Sequence, residues 1–267
     1  MSSDYLIDLK EIGRDLSNVK DSSDLDISKL PQRLVLVLPC QRRLIDQDAL
    51  ADGFYGAQLF TQADFSLYFY VNPEYVEFCE WISFFLENIH EYLAIVITGF
   101  PVITPDGAPA IGLPFMIKDR EILPSRLFNI IRKHKAPDSR LTVLINGCPA
   151  VETWSNEGEK SQKLSFSVTS SSFQKPIVRS FKSDKEIPEH VLLVTSCPRL
   201  ESQSIRPRTK GNVGLLISEL LNETQKDPVK SAAELIETIS PKMRTNGMEA
   251  VFYASSSDVV SETPFLL

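Results

Sequence analysis

Six short, unbroken apolar runs punctuate the chain, and polar or helix-patterned stretches lie between them. The runs are Arg33-Leu34-Val35-Leu36-Val37-Leu38, Phe65-Ser66-Leu67-Tyr68-Phe69-Tyr70-Val71, Leu93-Ala94-Ile95-Val96-Ile97, Leu141-Thr142-Val143-Leu144-Ile145, Val191-Leu192-Leu193-Val194-Thr195 and Ala250-Val251-Phe252-Tyr253-Ala254. Runs of this length without a polar alternation predict strands buried on both faces of a parallel sheet. Asp48 to Phe60 separates the first two as a helix. Pro73 to Ile89 spaces Tyr75, Phe78, Cys79, Ile82, Phe85 and Leu86 at helical intervals behind an early proline. Ser125 to Lys135 places Leu127, Ile130 and Ile131 on one stripe, with Ser125 as the expected cap. Val213 to Glu223 and Ser231 to Met243 predict two more helices before the sixth strand. Strands alternating with helices imply an α/β fold, a six-stranded mostly parallel sheet with helices on both faces.

Three stretches fall outside this rhythm. Residues 1–30 are polar and acidic, and Asp21-Ser22-Ser23-Asp24 reads as a loop or loosely packed arm. Pro101 to Pro124 contains the turn signal Pro105-Asp106-Gly107 and predicts a small hairpin. Val151 to Glu189 is too long for a plain connection and is read as a functional or flexible linker.

Composition narrows the function classes. The chain has 267 residues and a net charge of −7, which argues against an electrostatic grip on nucleic acid or an anionic membrane. No apolar run approaches the ~18 residues of a membrane span. The N-terminus Met1-Ser2-Ser3-Asp4 lacks a secretory pattern, and the expected compartment is cytoplasmic, with reduced thiols. Cys40, Cys79, Cys148 and Cys197 form no CxxC pair, so no metal framework is predicted. Neither GxxxxGK[ST] nor GxGxxG occurs, and no cofactor is expected. Gly211-Asn212-Val213-Gly214 fits a helix start or a hairpin corner better than a phosphate turn. Arg206-Pro207-Arg208-Thr209-Lys210 reads as a solvated basic loop, with a docking patch for an acidic partner as the alternative. Asp184 and Glu186, ahead of the fifth strand, do not by themselves define a calcium site, and calcium dependence stays open.

Binding in open α/β sheets occurs at the carboxyl ends of the strands. Cys40, Cys148 and Cys197 fall there; Cys148 leaves the fourth strand in Asn146-Gly147-Cys148-Pro149, where a nucleophile would be presented. Such a thiol needs a base, usually histidine. The chain has 3 histidines, His90, His134 and His190, each just ahead of a strand. A strand of five or six residues spans ~17–20 Å. In a parallel sheet, all three histidines would lie on the edge opposite Cys148.

These segments resemble the caspase-fold cysteine peptidases, closest to the metacaspase branch, over residues 33–267. Leu141 to Cys148 is similar to the strand that delivers the family nucleophile in D-x-C-H-S-G. Val191 to Cys197 resembles the small-subunit strand. Tyr253-Ala254-Ser255-Ser256-Ser257 with Thr263-Pro264-Phe265-Leu266-Leu267 is similar to the metacaspase end P-Q-x-S-S-S…P-F-L-L. The resemblance implies a three-layer caspase-like sandwich. It divides the chain into a polar arm (1–30) and one domain (31–267), made of a large-subunit-like part (31–150), a linker (151–189) and a small-subunit-like part (190–267). It places Cys148 at the nucleophile position and Gly99 at an oxyanion-hole position. The family's S-G-H-G reads Thr98-Gly99-Phe100-Pro101, so Phe100 replaces the catalytic histidine. Asn146 stands for aspartate and Pro149 for the histidine after the cysteine, and Pro198-Arg199-Leu200 replaces the acids that hold a basic substrate side chain. The expectation is a catalytically impaired pseudo-peptidase that binds a homologous caspase-like protein or a polypeptide. The alternatives are an active endopeptidase using Cys148 with an unusual or partner-supplied base, and an unrelated doubly wound ligand-binding domain.

Overall fold

A computed structural model describes residues 4–41, 47–103, 109–112, 121–122, 124–146, 178–180, 188–198 and 213–265. The six predicted strands are all present: β2 (Arg33–Pro39), β3 (Ser66–Phe69), β4 (Tyr92–Thr98), β8 (Arg140–Asn146), β10 (Val191–Pro198) and β11 (Met248–Ala254). They form the contiguous block β3-β2-β4-β8-β10-β11, parallel throughout except for the antiparallel pair β10–β11. Two three-residue strands lengthen the sheet to eight. β1 (Gly13–Asp15) pairs parallel with β3, and β9 (Val178–Ser180) pairs parallel with β11. Neither is apolar enough or long enough to be read as a strand from sequence.

Side-chain alternation along the strands divides the core into two layers. Val35, Val37, Ala94, Val96, Leu144, Leu192, Val194 and Phe252 face α1 (Tyr5–Ile12), α2 (Asp48–Thr61), α5 (Leu215–Lys226) and α6 (Ala232–Thr245). Leu34, Leu36, Leu93, Ile95, Ile97, Val143 and Leu193 face α3 (Tyr75–Asn88) and α4 (Pro124–His134). The result is the predicted three-layer sandwich. A short helix, α7 (Ser257–Ser261), follows β11.

Residues 4–30, the described part of the segment expected to be a loose polar arm, are folded. Their acids do local work that composition alone hides. Asp4, Asp15, Asp21 and Asp26 each accept the backbone N–H two residues on, at 2.8–3.2 Å, and so start α1 and three successive 3₁₀ turns. Leu9, Leu16 and Leu25, spaced between these turns, are buried. Ser125 is likewise not the cap of α4. The helix begins one residue earlier, at Pro124, where the missing N–H costs nothing.

Residues 101–124 include the predicted hairpin and add a strand to it. β5 (Phe100–Ile103), β6 (Pro109–Gly112) and β7 (Glu121–Ile122) make a separate antiparallel sheet. The turn residues Pro105, Asp106 and Gly107 lie outside the described residues. β5 begins two residues after β4 ends, so this small sheet stands at the carboxyl edge of the large one. Among the described residues, no helix is long and apolar enough to cross a membrane.

Candidate active site

The carboxyl ends of β2, β4 and β8 are stitched together by backbone. Cys40 N–H donates to the Thr98 carbonyl (2.7 Å), and Gly99 N–H donates to the Asn146 carbonyl (3.2 Å). Cys40 is completely buried, and burial pushes its thiol up to about 12. A thiol in that environment is not a nucleophile at neutral pH. Half-buried Cys79, on α3, is also shifted upward, chiefly by burial.

Thr98 and Asn146, the last residues of their strands, are buried on the α2 face by the same alternation that sorts the core. α2 comes close to them because it carries glycine on its inner side. A Cβ at Gly53 would lie 2.9 Å from Pro39, and one at Gly56 would lie 2.7 Å from Val96. Thr98 Oγ1 donates to the Ala49 carbonyl at 2.6 Å. Asp52, only 1% exposed, accepts from Asn146 Nδ2 through Oδ2 and from Gly214 N–H through Oδ1, both at 2.6 Å. Gly214 is the N-cap of α5 and supplies no side chain to cap it, so a residue of α2 supplies the acceptor. The sequence reading missed Asp52. The signal available was an acid beside Gly53 and Gly56 in a helix whose inner face is otherwise apolar.

The sequence-predicted site residues divide into three groups. Gly99 lies at the carboxyl edge, with its N–H directed to Asn146 rather than into open space. Phe100 opens β5. Cys197 pairs with Glu249 near the end of β10. Cys148 lies outside the described residues, two positions beyond Asn146. The same is true of the basic cluster 206–210 and of the 151–189 linker apart from β9 and residues 188–189.

The histidines lie at the other edge. His90 lies two residues ahead of β4 and His190 immediately precedes β10, and the Glu91 and His190 carbonyls accept from the Arg140 and Leu141 N–H groups at the start of β8. His134 ends α4 and pairs with Glu87 of α3. His190 has φ +58°, and its Nδ1 is buried with no hydrogen-bond partner among the described residues. From Tyr92 to Thr98, β4 covers roughly 20 Å, far beyond hydrogen-bond reach of ~3 Å.

Among the described residues, no group of three His, Cys, Asp or Glu side chains is arranged to hold a metal. An open groove of about 790 Å³ lies at the far side of the sheet, lined by Gly13, Phe54, Gln58, Phe65 and Tyr68. It shares no residue with the strand ends described above.

No family model matches the sequence. No curated protein matches it either. The structure, by contrast, is similar to solved caspases. It aligns with caspase-1 from Spodoptera frugiperda at 9% identity and a TM-score of 0.55, covering 85% of this chain and 87% of that one. It aligns with the Drosophila initiator caspase Dronc at 10% identity and a TM-score of 0.51, covering 87% and 80%. Likeness at this level of identity is a likeness of fold, and on it the chain is a three-layer α/β protein with a caspase-like fold.

Proposed function

We propose that this protein is a peptidase-fold binding protein. It holds an extended polypeptide, or a homologous caspase-like chain, at the carboxyl edge of its sheet without hydrolysing it. The observation that carries the reading is the position of the three histidines, all at the amino edge, one seven-residue strand away from the end of β8. Asn146, the last described residue before Cys148, therefore has no imidazole of its own chain within reach. Loss of a general base costs about 10²–10⁴ in rate, and loss of the imidazole also removes what keeps the thiol ionised. Two further observations support the reading. The Gly99 N–H is engaged by Asn146, so it is not free to stabilise an oxyanion. Phe100 occupies the motif position of the histidine. The finer placement, in the metacaspase branch, rests on the 141–148, 191–197 and 253–267 sequence patterns.

The test is a panel of fluorogenic peptides with basic, acidic and apolar residues before the scissile bond, assayed with wild type and Cys148→Ala. The expected result is equal, buffer-level turnover for both, with measurable binding of one or more uncleaved peptides. Turnover that disappears in Cys148→Ala would instead establish an active endopeptidase.

A further inference from the structure

Asp52 stands out among the buried polar groups. It is an acid in the first half of a helix, almost fully removed from water. Burying a carboxylate is costly unless its oxygens are satisfied, and here each oxygen takes a short N–H bond from a different element. The two donors are informative by location. Asn146 is the last residue of β8, just before the segment that begins at 147. Gly214 starts α5, just after the segment that ends at 212. One carboxylate thus joins the last residue of a central strand to the first turn of a helix 68 positions further along the chain.

The fit is built on all three sides. A Cβ at Gly214 would run into the Asn146 carboxamide, so glycine is required for that side chain to lie where it does. Gly53 and Gly56 let α2 approach closely enough for Asp52 to reach. The α5 N-terminus, whose free N–H groups favour an anion, has that anion supplied internally.

We infer that Asp52 is a positioning residue: it ties the end of β8 to the start of α5 and so fixes where this strand end and this helix start stand relative to each other at the carboxyl edge. Its significance for binding rests on the reading of that edge as the polypeptide site, but the tether can be tested without any ligand.

The experiment compares the full chain with three variants: Asp52→Leu, Asn146→Asp, and the exchange pair Asp52→Asn with Asn146→Asp. Two rates are read, hydrogen exchange of the Gly214 amide and of the Gly99 amide, which donates to the Asn146 carbonyl; the Val35 amide serves as a remote control. Asp52→Leu removes both acceptors, and both rates should rise by about tenfold or more while Val35 is unchanged. Asn146→Asp sets two carboxylates against each other and should raise them similarly. Combined with Asp52→Asn, the same substitution restores an acid–amide pair, and the rates should return to within about threefold of wild type. The inference is overturned if Asp52→Leu leaves both rates unchanged, or if Asn146→Asp is as disruptive in the Asp52→Asn background as in the wild-type chain. If Asp52→Leu does not fold, the Asn146→Asp comparison decides alone. An intact tether with no peptide bound would sink the functional reading and leave Asp52 in place.

Discussion

The two ends of the sheet are built for different purposes. At the amino edge, residues 262–265 are fastened down. Tyr92 Oη donates to the Pro264 carbonyl and lies 2.7 Å from Thr142 Oγ1. Arg140 stacks over the Tyr92 ring at 4.7 Å and pairs with Glu262 at 2.6 Å. Phe265 is buried and meets Phe60 edge-on at 5.2 Å, in line with Phe65 and Tyr92. At the carboxyl edge, the described residues form no comparable aromatic seal. Three strand ends, Asp52 and the start of α5 are held by short polar bonds, and a second small sheet begins beside them. The contrast teaches how this fold separates its tasks. Apolar burial at one edge supplies stability, and at the other short polar bonds hold the strand ends in place.

Changes at the sealed edge should therefore dominate stability, and the largest should come from the plug itself. Phe265→Ala removes a buried ring from the Phe60–Phe65–Tyr92 cluster and should cost about 3–4 kcal/mol in denaturant unfolding. A loss below about 1 kcal/mol would mean that Phe265 is not seated and that the contrast is false.

The next effect comes from Glu223, near the end of α5. Its side chain is only 4% exposed and receives Lys226, Lys230 and Lys242 at 2.7–3.0 Å. Those three ammonium groups hold its carboxyl down to about 2, against an ordinary value near 4.5. Because the folded value is depressed, the stabilisation is complete above about pH 4.5 and is lost as pH falls towards 2. Glu223→Gln should cost about 1–2 kcal/mol at pH 7, and the gap from wild type should close progressively below about pH 4.5. A pH-independent gap would show that packing rather than charge is responsible.

The sheet was legible in the sequence because its strands are buried on both faces. Leu34 to Leu38 and Leu93 to Ile97 have no polar alternation to confuse them with surface strands. The first thirty residues were misread for the converse reason. Asp15, Asp21 and Asp26 look like solvating acids in a composition count, yet each caps a turn in the stretch that brings Leu16 and Leu25 inward. Of the candidate site, the displacement of the histidines to the wrong edge followed from chain order alone, since parallel strands all point the same way. Asp52 was not legible. Its partners are 94 and 162 residues away in sequence, and no spacing rule links a helix acid to a strand amide and a helix N–H. Long-range polar tethers of this sort are visible only once the topology brings their ends together.

A matched pair of conservative substitutions gives the finest version of the contrast. Tyr92→Phe and Thr98→Val each delete one hydroxyl from β4, at its first and last residue, and both sites are buried. At the amino end, the lost hydroxyl is the donor to the Pro264 carbonyl and the neighbour of Thr142, so two buried polar groups lose a partner. The expected cost is about 1–2 kcal/mol. At the carboxyl end, Thr98 donates to the carbonyl of Ala49, a residue inside α2 whose oxygen also has the helix ladder available. Valine fills the same volume, and the expected cost is below about 1 kcal/mol. The measurement is the ratio of the two losses in parallel urea titrations. A Thr98→Val loss equal to or larger than that of Tyr92→Phe would mean that the carboxyl edge carries as much of the fold's stability as the sealed one. The division of labour between the two edges would then have to be given up.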